Sequence, residues 1–134
     1  MPNHQYQRPP IMIAEDEQDR LISLALSALG RAPGAVDLFT ELSRAKIVAR
    51  LPPHTVGVGS VATFTYDGST YVDFELVDPH RADIEQRRIS VLTPVGAMLL
   101  GLSEGQSIEW SGPDERAHKV FVEKVGVTMD GATH

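Results

Sequence analysis

The chain contains no cysteine. That excludes disulfides, thiolate metal ligands and a cysteine nucleophile, and it suits a reducing compartment. No apolar run approaches the ~20 residues needed to span a bilayer. The polar, proline-bearing stretch from Met1 to Pro10 has nothing resembling the apolar segment of a signal peptide. A cytoplasmic location with no membrane partner is the expectation. Basic residues are also scarce, with 12 Lys and Arg against 18 Asp and Glu, a formal net charge of -6. Phosphate-backbone binding relies on clustered Lys and Arg, so direct nucleic-acid binding is not expected. The one basic cluster, Arg81 with Arg87-Arg88, lies among Asp78, Asp83 and Glu85 and reads as a solvated loop.

What is present is ordinary globular material. Of 134 residues, 42% are hydrophobic and 22% charged, enough apolar surface to offset the entropy of ordering one compact domain with a small appendage.

The pattern along the chain predicts a helical hairpin followed by a sheet. Residues 1–13 read as a flexible N-terminal arm, although Ile11-Met12-Ile13 is suited to pack or pair as a short extended piece. Asp16 offers an N-cap for a first helix, with Leu21, Ala25, Ala28 and Leu29 on one stripe. Gly30-Arg31-Ala32-Pro33-Gly34 turns the chain. A second helix is expected to start at Asp37 as N-cap and to carry Leu38, Leu42, Ala45 and Ala49 on one face, with Glu41 and Arg44 as an i,i+3 pair. Pro52-Pro53 closes it. Two helices of about 14 residues make an antiparallel hairpin roughly 20 Å long, spanning residues 14–53.

After Pro53 the composition turns to strand formers. Val56 to Tyr66, the Asp67-Gly68 turn and Thr70 to Val77 form a hairpin, with Val72, Phe74 and Leu76 expected on one face and Tyr71, Asp73 and Glu75 on the other. Asp78 to Arg87 is a loop, and Arg88 to Leu92 a further strand. Thr93-Pro94 is an N-cap with proline at the first helical position, opening a short buried helix that Gly101 stops. Gln106 to Trp110 and Lys119 to Val127 complete an antiparallel sheet. The class is α+β. Residues 54–128 form the sheet domain and 129–134 a C-terminal tail.

Nothing in the spacing argues for catalysis, a cofactor or a metal. The five histidines, His4, His54, His80, His118 and His134, are scattered, none three or four residues from another. Val56-Gly57-Val58-Gly59-Ser60 lacks the lysine and the following helix of a phosphate loop. Asp73 and Glu75 read as alternating acids on an exposed face, and Asp114-Glu115-Arg116 as an exposed turn.

One stretch is more specific. Ile89-Ser90-Val91-Leu92-Thr93-Pro94-Val95-Gly96-Ala97-Met98-Leu99-Leu100-Gly101-Leu102, then Gly105, Ile108 and Trp110, resembles the carboxy-terminal signature of the Gre transcript-cleavage factors. Val58-Gly59-Ser60-Val61 and Phe74-Glu75-Leu76-Val77 match the family's strand positions in order. The likeness is nearest to the branch called regulator of nucleoside diphosphate kinase, in which a short helical hairpin replaces the long coiled coil. The resemblance implies an FKBP-like sheet domain that binds RNA polymerase at the rim of its secondary channel, as a monomer and without enzymatic activity. Leu92, Thr93 and Pro94 occupy the positions of an Asp-Ser-Pro polymerase contact in Gre factors, so they are the expected partner-binding residues, with Leu in place of the carboxylate. Gre cleavage factors carry two acidic residues at the coiled-coil tip. Here the turn carries Arg31, with only Asp37 nearby, and transcript-cleavage stimulation is not expected. Two other readings accompany this one. The FKBP-like fold alone suggests a peptidyl-prolyl isomerase, for which an open aromatic cleft would be needed. The branch name suggests direct regulation of a nucleoside diphosphate kinase.

Overall fold

The computed structural model describes residues 8–112 and 114–126. The chain opens with strand β1 (Met12–Ala14), which runs directly into helix α1 (Glu15–Ala28). Helix α2 (Ala35–Arg44) returns antiparallel and leads into strand β2 (Lys46–Val48), which pairs in parallel with β1. The end of the expected arm is therefore structural. Ile11 and Ile13 are buried, and backbone bonds tie Lys46 N–H to Ile11 O and Met12 N–H to Gly101 O.

Both helix starts lie earlier than the local caps suggest. Neither N-cap residue, Ala14 nor Gly34, contributes a side-chain cap. Asp16 and Asp37 instead sit in the first turns, where a carboxylate still suits the helix dipole. The second helix stops at Arg44 because Ala45 turns extended to enter β2, leaving Ala49 exposed outside it.

The sheet follows as β3 (Val61–Tyr66), β4 (Ser69–Val77), β5 (Arg88–Ser90), β6 (Ser107–Ser111) and β7 (Ala117–Gly126), in spatial order β5-β4-β3-β7-β6. All neighbours are antiparallel except β5, which lies parallel to β4 after a connection holding two single 3-10 turns. Asp67 and Gly68 both take positive φ, as a two-residue hairpin turn between right-twisted strands requires.

The expected alternation on β4 fails at a bulge. Ala62 pairs with Phe74 but Phe64 pairs with Tyr71, so β4 holds one extra residue there, and Asp73 adopts φ 56°. Tyr71 is thereby brought to the inner face against Phe64, at 5.1 Å between rings, while Val72 is left exposed. A second bulge shifts the β3–β7 register between Thr63 and Phe64, so β7 buries Val120 and Val122, then Val125. The two bulges bend the sheet at one level.

Helix α3 (Pro94–Leu99) and the hairpin share one core with the inner face. Leu21, Ala25, Leu38 and Leu42 from the hairpin join Met98, Leu99, Leu100, Phe64, Ile108 and Trp110. The hairpin thus lies against the sheet domain. Helix α2 packs on both α1 and α3, and Arg20 of α1 bonds both carboxylate oxygens of Asp78 at 2.9 Å.

Candidate functional site

The signature loop is built by local hydrogen bonds. Thr93 caps α3: its Oγ1 accepts from the Gly96 N–H at 3.0 Å and donates to the Ser90 carbonyl at 2.8 Å. Gly96 is required, since a Cβ there would sit 1.9 Å from the Ser90 carbonyl oxygen. Ser90 Oγ accepts from the Leu92 N–H at 2.9 Å. The Leu92 carbonyl in turn accepts from Gly34 N–H at 2.7 Å, so the hairpin turn rests on this loop.

These bonds separate the three expected partner-binding residues. Leu92 is only 7% exposed, and its side chain belongs to the core. Thr93 is half-buried and committed to the cap. Pro94, also half-buried, borders a cleft of about 310 Å³ together with Tyr66, Trp110, Gly112, Asp114 and His118.

Strand pairing assembles that cleft. Trp110 on β6 stands opposite His118 on β7. Tyr66, at the end of β3, stacks on Trp110 at 6.1 Å with planes 7° apart, and the His118 ring lies 6.0 Å from Tyr66 and 5.6 Å from Trp110. Both nitrogens of His118 meet carboxylates: Nδ1 is 2.5 Å from Asp67 and Nε2 is 3.1 Å from Asp114. The hydrogen bond to Asp67, then that to Asp114, raises the imidazole above its usual range. Asp114 is held below the usual carboxylate range by the Arg116 N–H and by His118. Burial, followed by the Asp67 charge, pushes the Tyr66 phenol up. The sequence reading overlooked this group, having taken Asp67 as a turn residue and His118 as isolated. The β3–β7 pairing, with Tyr66 opposite Val120, brings Tyr66 and Asp67 beside His118, and no local sequence signal marks it.

The remaining aromatics do not make an open pocket of ligand size. Phe64 and Trp110 are each 1% exposed, and the cleft lined by Phe64, Tyr66, Tyr71, Ile84, Ile89 and Val95 holds about 220 Å³, below the ~300 Å³ at which small-molecule sites usually begin.

The hairpin holds a second charged group. Glu41, 1% exposed, is clamped by Arg8 and by Arg44, whose Nε lies 2.9 Å from Glu41 Oε1 and whose Nη1 donates to the Pro9 carbonyl at 2.8 Å. Asp37 faces this cluster: burial raises its carboxyl and the Arg8 charge opposes that. Neither acid lies in the turn. Around the turn, Leu26, Leu29, Val36 and Phe39 are exposed instead. No group of His, Asp and Glu side chains suited to a metal ion occurs among the described residues.

Residues 51–126 match the family model for the carboxy-terminal domain of the transcription elongation factors GreA/GreB, and residues 9–48 match that for the Rnk N-terminus. The chain belongs to the Gre family. Within it, the chain falls in the branch of the regulators of nucleoside diphosphate kinase: it is 36% identical to the protein of that name from Escherichia coli over 111 residues, 79% of this chain and 81% of the relative. Transcription elongation factor GreA of Rhodospirillum rubrum is 35% identical over 74 residues, covering 53% of this chain and 47% of that factor. Among solved structures, the prokaryotic transcription elongation factor GreA/GreB from Nitrosomonas europaea superposes with a TM-score of 0.64 at 34% identity, over 86% of this chain and 98% of the other. The GreA/GreB carboxy-terminal family model covers the sheet domain, which carries the Thr93–Pro94 loop and its cleft.

Proposed function

We propose that this Gre-family regulator binds RNA polymerase at the rim of the secondary channel, competes there with Gre factors, and does not stimulate transcript cleavage. The observation that carries the reading is the placement of the hairpin. At 1.5 Å per residue, helices of 14 and 10 residues span about 21 and 15 Å. Helix α2 packs against both α1 and α3, and both helices bury their stripe in the core shared with the sheet domain, so they do not form a free arm. The turn between them offers Arg31 and exposed apolar side chains, and the nearest carboxylates, Asp37 and Glu41, are turned to Arg8 and Arg44. Metal-assisted hydrolysis depends on delivering a carboxylate to the metal within fractions of an ångström. A docked hairpin without tip acids can occupy a binding site but has nothing to deliver.

The isomerase reading is not favoured, because Phe64 is a core residue and the cleft it lines with Tyr66 and Tyr71 holds only about 220 Å³. The test is a cleavage reaction on halted elongation complexes. Alone, the protein leaves the transcript intact. Added with a Gre factor, it lowers cleavage with increasing dose. Cleavage by the protein alone, or no effect on the Gre factor at saturating concentrations, would refute the proposal.

A further inference from the structure

We infer that the cleft beside Pro94 receives a lysine or arginine side chain of the partner protein. This rests on the proposed function, since it assigns the chemistry of that partner at the same loop. The cleft has a wall for an aliphatic stem in Tyr66 and Pro94, and a half-exposed carboxylate, Asp114, at its rim. Asp67, also partly exposed, lies on the other side of the His118 ring. Long basic side chains bury their methylenes on apolar surface while the charged head seeks a carboxylate or an aromatic face. Among the described residues, no lysine or arginine lines this cleft. The cleft at Arg87, Arg88 and Lys124 differs, because it mixes those cations with Asp73 and Glu75.

His118 holds the place of that cation in the free protein. Protonated, its two N–H groups satisfy Asp67 and Asp114 from within, and the three groups together carry one negative charge. Deprotonation removes the positive charge between the two carboxylates and leaves only one of them with a His118 N–H. The other rings packed on His118, Tyr66 and Trp110, are neutral, and Arg116 reaches Asp114 through its backbone N–H. An incoming cation therefore competes with a proton, so binding strengthens as pH rises through the raised His118 pKa.

The experiment measures binding of the full chain to purified core RNA polymerase by anisotropy, for wild type, for Asp114→Asn and for Asp67→Asn with Asp114→Asn. Asparagine tolerates the left-handed conformation of residue 67 and can still accept the Lys119 N–H, which Asp67 Oδ1 does at 2.8 Å. The thermal midpoint of each variant is recorded in parallel. The double variant should bind about tenfold more weakly, with a smaller loss on added salt and without the strengthening that wild type shows as pH rises above 6.5. If it does not fold, the single Asp114→Asn substitution in the exposed loop carries the test with a smaller loss of the same sign. Wild-type affinity in a folded variant, with binding still displaced by a Gre factor, overturns this inference and leaves the proposed function standing. Absence of wild-type binding overturns both.

Discussion

Replacing Gly34 with alanine should partly lift the hairpin from the signature loop. Gly34 closely abuts that loop: a Cβ would lie 2.4 Å from the Leu92 carbonyl oxygen and 2.4 Å from the Thr93 carbonyl carbon. Ordinary contact begins near 3.4 Å, so the backbones must part by about 1 Å. Both partners are main chain, so no side chain can rotate away. Overpacking of this kind costs about 1–3 kcal/mol, and the 2.7 Å bond from Gly34 N–H to Leu92 O weakens, adding about 1 kcal/mol. The sum is about 2–4 kcal/mol, or ~7–14 °C in the midpoint of a chain of 134 residues. The φ of Gly34 is -95°, so the penalty is steric and not conformational. Gly126→Ala is the control, because a Cβ there meets nothing within 4 Å; it should stay within about 0.5 kcal/mol of wild type. Urea unfolding followed by circular dichroism measures both. A Gly34→Ala protein as stable as the control would refute the docking of the hairpin on this loop.

Other substitutions probe separate parts of the account. Glu41→Gln leaves Arg8 and Arg44 facing each other without their carboxylate and should cost about 2–3 kcal/mol by urea unfolding, less than a wholly buried pair because both arginines reach solvent. Arg8→Ala, at a side chain one-third exposed, should cost under about 1 kcal/mol. Thr93→Ala removes the cap bond to Gly96 and should cost about 1 kcal/mol, whereas Thr93→Ser should be nearly neutral. The His118 imidazole should titrate above 6.5 by NMR and move back down in Asp67→Asn. Because its folded pKa is raised, its contribution to stability is complete below the unfolded pKa near 6.5 and is lost as pH rises through the folded value. A His118→Gln protein should lack that part of the pH dependence.

The features legible in the sequence were those whose chemistry is local. Thr93-Pro94 announced a capped helix because cap and first turn are adjacent in the chain, and Asp67-Gly68 announced a two-residue turn. The helical stripe of Leu21, Ala25, Ala28, Leu38 and Leu42 announced the hairpin. Features set by distant pairing were not legible. The sequence marked Ile11-Met12-Ile13 as able to pack or pair but not its partner, β2, which lies more than thirty residues away and whose pairing also ended α2 at Arg44. The bulge at Asp73 reversed Tyr71 and Val72, although nothing in the composition of that strand marks an extra residue. Glu41 and Arg44 were read as an i,i+3 pair; the burial of Glu41 and its second partner, Arg8, which arrives from the other end of the segment, were not legible. At the candidate site, Pro94 was found by family resemblance, while Tyr66, Asp67, Asp114 and His118 meet only after three strands fall into register.

The most direct test of the central claim is equilibrium binding of the full chain to purified core RNA polymerase, with a Gre factor as competitor. Saturable binding that the Gre factor displaces in full is the expected result. Binding that persists at saturating Gre factor would contradict a shared site, and no binding at micromolar concentrations would contradict the claim itself.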